Sequence, residues 1–108
     1  MKQHNKLVRD KILEIIKADG VDYQSRTLND DEYKQELLKK LVEEANEVLE
    51  TNGNSEELIK ELADVSEVIE YIIKTFSVSQ NEVDEVKQQR HNKRGGFDEK
   101  IFLETTSD

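Results

Sequence analysis

Two long stretches of apolar side chains at helical spacing, separated by a break at Asn52-Gly53-Asn54-Ser55, constrain this chain more than any other feature. The first carries Leu37, Leu38, Leu41, Val42, Ala45, Val48 and Leu49; the second carries Leu58, Leu62, Val65, Ile69, Ile72, Ile73 and Phe76. Plotted at 100° per residue, the first set fills an arc of about 140°. Each stretch is therefore read as an amphipathic helix with one wide face to cover, and the short break makes the pair an antiparallel hairpin. Asn29, with Glu32 three residues on, resembles a capping box that opens the first of these helices, roughly 30–51. Asn54 with Glu57 caps the second, which runs to about Phe76.

Shorter elements flank the hairpin. Leu7, Val8, Ile12, Leu13, Ile15 and Ile16 also recur at helical spacing, and a first helix is predicted over roughly 10–19, with Asp10 as N-cap and Gly20 as a left-handed C-cap. An extended or helical arm precedes it. Val21 to Leu28 alternates weakly and reads as extended. Ser79 and Glu82 make another capping box for a fourth helix to about Arg94, closed by Gly95-Gly96, and Ile101-Phe102-Leu103 is a short apolar run in the tail. With no Pro and 4 Gly, the chain is read as all-α, four helices between short extended terminal segments, and as one domain over 1–108.

Charge narrows the function classes. Lys plus Arg number 16 against 25 Asp plus Glu, a net −9, which argues against binding a polymeric nucleic-acid backbone. Without Cys there is no disulfide framework, thiol nucleophile or zinc ribbon, and His4 and His91 are poorly placed for a histidine metal site and read as surface residues. No apolar run of about 18 residues is present to span a bilayer, and charges stand where a signal peptide needs an apolar stretch. The expectation is an acidic cytoplasmic domain with no membrane partner.

The position of the acids is more informative than their number. Glu44 lies at the edge of the first apolar arc, between Leu41 and Val48, and Glu47 lies about 60° further round on the same flank. Glu61 falls between Val65 and Val68 beside the second arc, with Asp64 next to it. Acids on a solvated face would sit opposite the apolar stripe, and a carboxylate at a core edge is costly without compensation. Glu44 and Glu61 are nine and eight residues from Gly53, so they reach nearly the same height on antiparallel helices. Four carboxylates converging on one volume want a cation, and oxygen-only ligands select a hard one such as Mg²⁺, which commonly works on phosphates.

Glu44-x-x-Glu47, thirteen intervening residues, then Glu61-x-x-Asp64 resembles the metal motif of the all-α nucleoside triphosphate pyrophosphohydrolases, the superfamily of the MazG proteins, dimeric dUTPases and phosphoribosyl-ATP pyrophosphohydrolase. Asn5-Lys6-Leu7-Val8-Arg9-Asp10-Lys11-Ile12, Arg94-Gly95-Gly96-Phe97 and Ile101-Phe102-Leu103 resemble segments of a small MazG-like subfamily predicted to be house-cleaning enzymes. Leu13 departs from the pattern, standing where relatives often carry Pro. The resemblance implies a four-helix MazG-like bundle and Mg²⁺-dependent hydrolysis between the α and β phosphates of a nucleotide, to a monophosphate and pyrophosphate. It also implies Glu44, Glu47, Glu61 and Asp64 as metal ligands. Glu43 matches the doubled Glu often seen in the motif, either orienting water or lying on a solvated face; with Glu44 and Glu61 it completes the candidate catalytic set.

Basic residues fall in two groups, Lys6, Arg9 and Lys11 near the start and Lys87, Arg90, Lys93 and Arg94 along the fourth helix. Either could clamp phosphate, although the second also suits the negative end of a helix dipole. Gly95-Gly96 reads as a C-cap rather than a phosphate cradle, since no helix follows it. Tyr23, Tyr33, Tyr71, Phe76, Phe97 and Phe102 read as core or interface residues. A four-helix monomer this small has a marginal core, so a homodimer or higher homo-oligomer pairing the hairpins is expected. The rival reading is a non-catalytic acidic helical module that binds or regulates a partner through an apolar face. Which base or sugar is recognised does not follow from spacing.

Overall fold

The computed structural model describes residues 2–107. It is all-α, about 60% helical, with no strand among the described residues. The helices are α1 (Ile12–Ala18), α2 (Asp30–Glu50), α3 (Ser55–Thr75) and α4 (Gln80–Arg94). They divide into two compact units, one ending at Ser77 with α1 to α3 and one beginning at Val78 with α4. No helix among the described residues is long and apolar enough to cross a membrane.

Local chemistry accounts for most boundaries. At the start of α2, Asn29 Oδ1 accepts from the Glu32 amide at 2.9 Å while Glu32 Oε1 accepts from the Asn29 amide at 3.4 Å, a complete capping box. Arg26 braces it with two bonds to the Glu32 carboxylate, at 3.1 and 2.8 Å. Asn54 and Ser79 cap α3 and α4 by accepting from the amides of Glu57 and Glu82 at 3.2 and 3.3 Å. Helix α1 differs from expectation. Its N-cap is Lys11 in a helical conformation with no side-chain cap bond, so Asp10 does not cap it; instead the Ile12 amide reaches back to the Arg9 carbonyl at 3.1 Å. Leu13 falls in that first turn, where Pro is tolerated. The end follows the sequence: Gly20 at φ +74 lets Val21 N bond Ile16 O at 3.3 Å and Gly20 N bond Lys17 O at 3.0 Å, closing the helix as a Schellman motif.

Between α2 and α3 the chain reverses through Asn52 (φ 51) and Gly53 (φ 82), left-handed conformations that Asn tolerates and Gly adopts freely. Thr51, buried at 8% exposure, ties the turn: its hydroxyl donates to Val48 O at 2.7 Å and accepts from Gly53 N at 3.2 Å. The two helices then pack antiparallel.

Their packing seam does not follow the centre of the apolar arcs. On α2 the most enclosed direction runs through Leu37 (4% exposed), Glu44 (8%) and Thr51, residues seven apart. On α3 it passes through Val68 (8%) with the partly covered Glu61 seven residues before it. Much of the apolar stripe away from the seam is left open: Val42 is 62% exposed and Leu49 75%, and Leu38, Leu62 and Ile69 are also exposed. On both helices these residues lie about 90 to 160° from the seam, and antiparallel packing puts both arcs on the same side of the hairpin. One side is therefore a bare apolar surface and the other carries the acids. Phe97 and Phe102, expected in a core or interface, are 99% and 86% exposed within their own unit, and Tyr23 is exposed as well. His4 and His91 are exposed, as the sequence suggested.

Candidate metal centre

Glu44 from α2 and Glu61 and Asp64 from α3 each offer a carboxylate oxygen, and these oxygens lie within 4.8 Å of one another. The matched heights across the turn and the three-residue spacing on α3 produce this convergence. Glu44 Oε2 and Glu61 Oε2 are buried and accept no hydrogen bond. A buried carboxylate oxygen without a donor is expensive, and two residues of the triad carry one, a cost that a hard cation held by the triad would relieve. The donor set is oxygen only, which fits a divalent cation of the Mg²⁺ or Ca²⁺ type.

Glu47, the fourth expected ligand, stands outside the triad. Its carboxyl is within hydrogen-bonding reach of Glu61, and both line an open groove of about 460 Å³ with Glu50, Thr51, Glu57 and Lys60. Burial raises the Glu61 pKa above the usual glutamate range, and contact with Glu47 and the charges of Asp64 and Glu44 push the same way. Burial likewise raises Glu44, with repulsion from Glu47 and Asp64 added and only Lys40 opposing. Adjacent Glu43 moves oppositely: burial works against its charge, but hydrogen bonds from Lys6 and Lys40 outweigh that and hold its carboxyl below the usual range. Two neighbours in sequence thus differ because one has cations and the other has carboxylates around it.

The cations come from two places. Lys40 Nζ, largely covered, lies 3.2 Å from Glu43 Oε2 and 3.6 Å from Glu44 Oε1. Sequence reading missed it, although three- and four-residue spacing on one helix was a usable signal. The N-terminal arm supplies the others: Lys6 Nζ donates to Glu43 Oε1 at 3.0 Å, and Arg9 Nη2 donates to Asp64 Oδ1 at 2.8 Å with Nη1 3.9 Å from Glu67 Oε2. The Glu43 bond and charge raise the Lys6 pKa. Six carboxylates, Glu43, Glu44, Glu47, Glu61, Asp64 and Glu67, are thus linked to three cations, a local excess of three negative charges.

Lys6 and Arg9 are therefore at the acids, whereas Lys11 is exposed at the start of α1. Lys87, Arg90, Lys93 and Arg94 are exposed on α4 in the second compact unit, with Lys93 and Arg94 in the last helical turn where they complement the dipole. Gly95 is the C-cap of α4, as read from the sequence. Comparison with family models, curated proteins and solved structures returns no match for this chain.

Proposed function

We propose that this chain is an Mg²⁺-dependent nucleotide pyrophosphohydrolase that cleaves between the α and β phosphates. The observation that carries the reading is the convergence of Glu44, Glu61 and Asp64 with two buried oxygens left without donors. Glu44, Glu61 and Asp64 would hold the ion, with Glu47 next to Glu61 as a further ligand. An Mg²⁺ ion held there would supply charge to offset the phosphates and Lewis acidity to favour attack by water. In the balanced reaction the water oxygen bonds to the α phosphorus, the bridging oxygen leaves with pyrophosphate, and the water's protons pass to solvent or a nearby carboxylate. Glu43, kept ionised by Lys6 on one oxygen and Lys40 on the other, is a poor proton acceptor, and its catalytic role in this reading is to help orient the water. Lys6 and Arg9, in the arm beside the acids, are the basic residues nearest to where a triphosphate tail would extend, and the α4 row is the second candidate clamp.

The same reading includes a cytoplasmic homodimer. Val42, Leu49, Leu38, Leu62 and Ile69 are exposed apolar residues on one side of the hairpin, and covering what remains exposed of each is worth about 1 kcal/mol. That surface also favours the rival reading, a non-catalytic acidic module docking on a partner. A panel of natural and damaged nucleoside triphosphates incubated with Mg²⁺ separates the two: pyrophosphate release supports the enzyme, and orthophosphate alone refutes α–β cleavage. Glu61→Gln should abolish that release with helix content intact. Retained turnover in this variant would sink the assignment.

A further inference from the structure

We propose that the N-terminal arm is a tethered counter-ion for the metal centre, seated on the acids when no cation is bound and displaced by a divalent cation, which frees Arg9 to meet an anionic substrate; this rests on the metal reading above. Arg9 occupies Asp64 Oδ1 at 2.8 Å, and Asp64 is one of the three residues whose oxygens converge. Lys6 holds Glu43, next in the chain to Glu44. The intervening Leu7 and Val8 border a cleft of about 170 Å³ together with Tyr33, Leu37, Val68 and Tyr71, which brings the arm's apolar residues alongside the hairpin.

A divalent cation at the triad needs the lone pairs and negative charge that Arg9 now uses, and it repels the guanidinium. One position then affects two ligands with opposite signs. Arg9 weakens metal binding in the absence of substrate and strengthens nucleotide binding once the metal is in place. Because the Arg9–Asp64 pair is half exposed, its grip is modest, and an exposed pair of this kind changes affinity roughly two- to fivefold.

Calorimetric titration of the full chain with Mn²⁺ alone, and with Mg²⁺ alone, tests this on the wild type, Arg9→Gln and Lys11→Gln. Arg9→Gln should bind metal roughly two- to fivefold more tightly, while Lys11→Gln, which removes the same charge away from the acids, should match the wild type. Equal tightening by both variants, or none by Arg9→Gln, overturns the proposal. As a second readout, the amide resonances of Leu7 and Val8 should move toward solvent-exposed positions as Mg²⁺ saturates the wild type; resonances that stay in place at saturation also overturn it. If Mn²⁺ fails to broaden signals at Glu44 and Glu61, the metal reading itself fails and this proposal falls with it. Failure of the arm alone appears instead as normal metal binding without arm movement.

Discussion

Glu44 and Glu61 face one another across the α2–α3 hairpin, each with an oxygen buried and without a hydrogen-bond donor. Burial raises both pKa values, and surrounding carboxylates add to it, Glu47 and Asp64 at Glu44 and Glu47, Asp64 and Glu44 at Glu61. Glu44→Gln removes one of the charges from the more enclosed position, so the metal-free protein should gain about 1 kcal/mol in urea denaturation with EDTA present. Mg²⁺ should stabilise the wild type if the proposed site holds it, and the same variant should lose that stabilisation. A variant destabilised in EDTA would show that Glu44 is already compensated.

The pH dependence follows with a definite sign. In the folded chain Glu44 and Glu61 keep their protons to higher pH than in the unfolded chain, where the ordinary value is near 4.5. Folded protein then binds more protons, and stability falls as pH rises from the ordinary value through the raised ones. Metal-free protein should accordingly become more stable on acidification from about pH 7.5 towards about pH 5. Glu43 and Glu32, lowered by their cations, act in the other direction only as pH falls through and below 4.5. Urea midpoints across this range give the slope, and Glu44→Gln with Glu61→Gln should flatten it. A midpoint that climbs with pH in the wild type contradicts the assignment.

Leu49 is 75% exposed, so a change there has little to disturb within one chain. Leu49→Lys should leave helix content unchanged and shift stability by no more than about 0.5 kcal/mol within the protomer. In the proposed dimer it would place a charge in an apolar contact. Light scattering coupled to size exclusion should then read 12.6 kDa for the variant and twice that for the wild type. A wild-type mass of 12.6 kDa counts against the dimer.

Asn29 and Arg26 hold the entry to α2 through Glu32. Asn29→Ala removes a complete capping box and should cost about 1 kcal/mol, lowering the thermal midpoint by about 5 °C. Arg26→Ala touches an exposed pair and should cost less than half as much. Equal losses would place the stability in the ion pair rather than the cap.

What could be read from the sequence was set by local chemistry. The caps at Asn29, Asn54 and Ser79 depend on residues three apart, and Glu44, Glu61 and Asp64 come together from helix pitch and distance to the turn alone. Asp10 misled because a residue suited to an N-cap must also take an extended backbone there, and the turn from Arg9 to Ile12 prevents it. The seating of Lys6 and Arg9 on the acids depends on how a non-helical arm folds back over two helices, which no periodicity encodes. The apolar arcs gave the helices but not the direction of packing: a stripe about 140° wide is broader than one neighbour can cover, so it did not indicate which edge α3 would take.

The turn at Thr51-Asn52-Gly53 has a consequence for how such a chain can change. Its triad draws one carboxylate from before the reversal and two from after it, so loop length acts as a ruler for the coordination sphere. Inserting a residue here would change the height or facing of α3 relative to α2 while sparing both helices and their apolar stripes. Such a protein would still be helical, yet Glu44 would no longer meet Glu61 and Asp64, so the length of this loop matters to the carboxylate cluster more than to the helices.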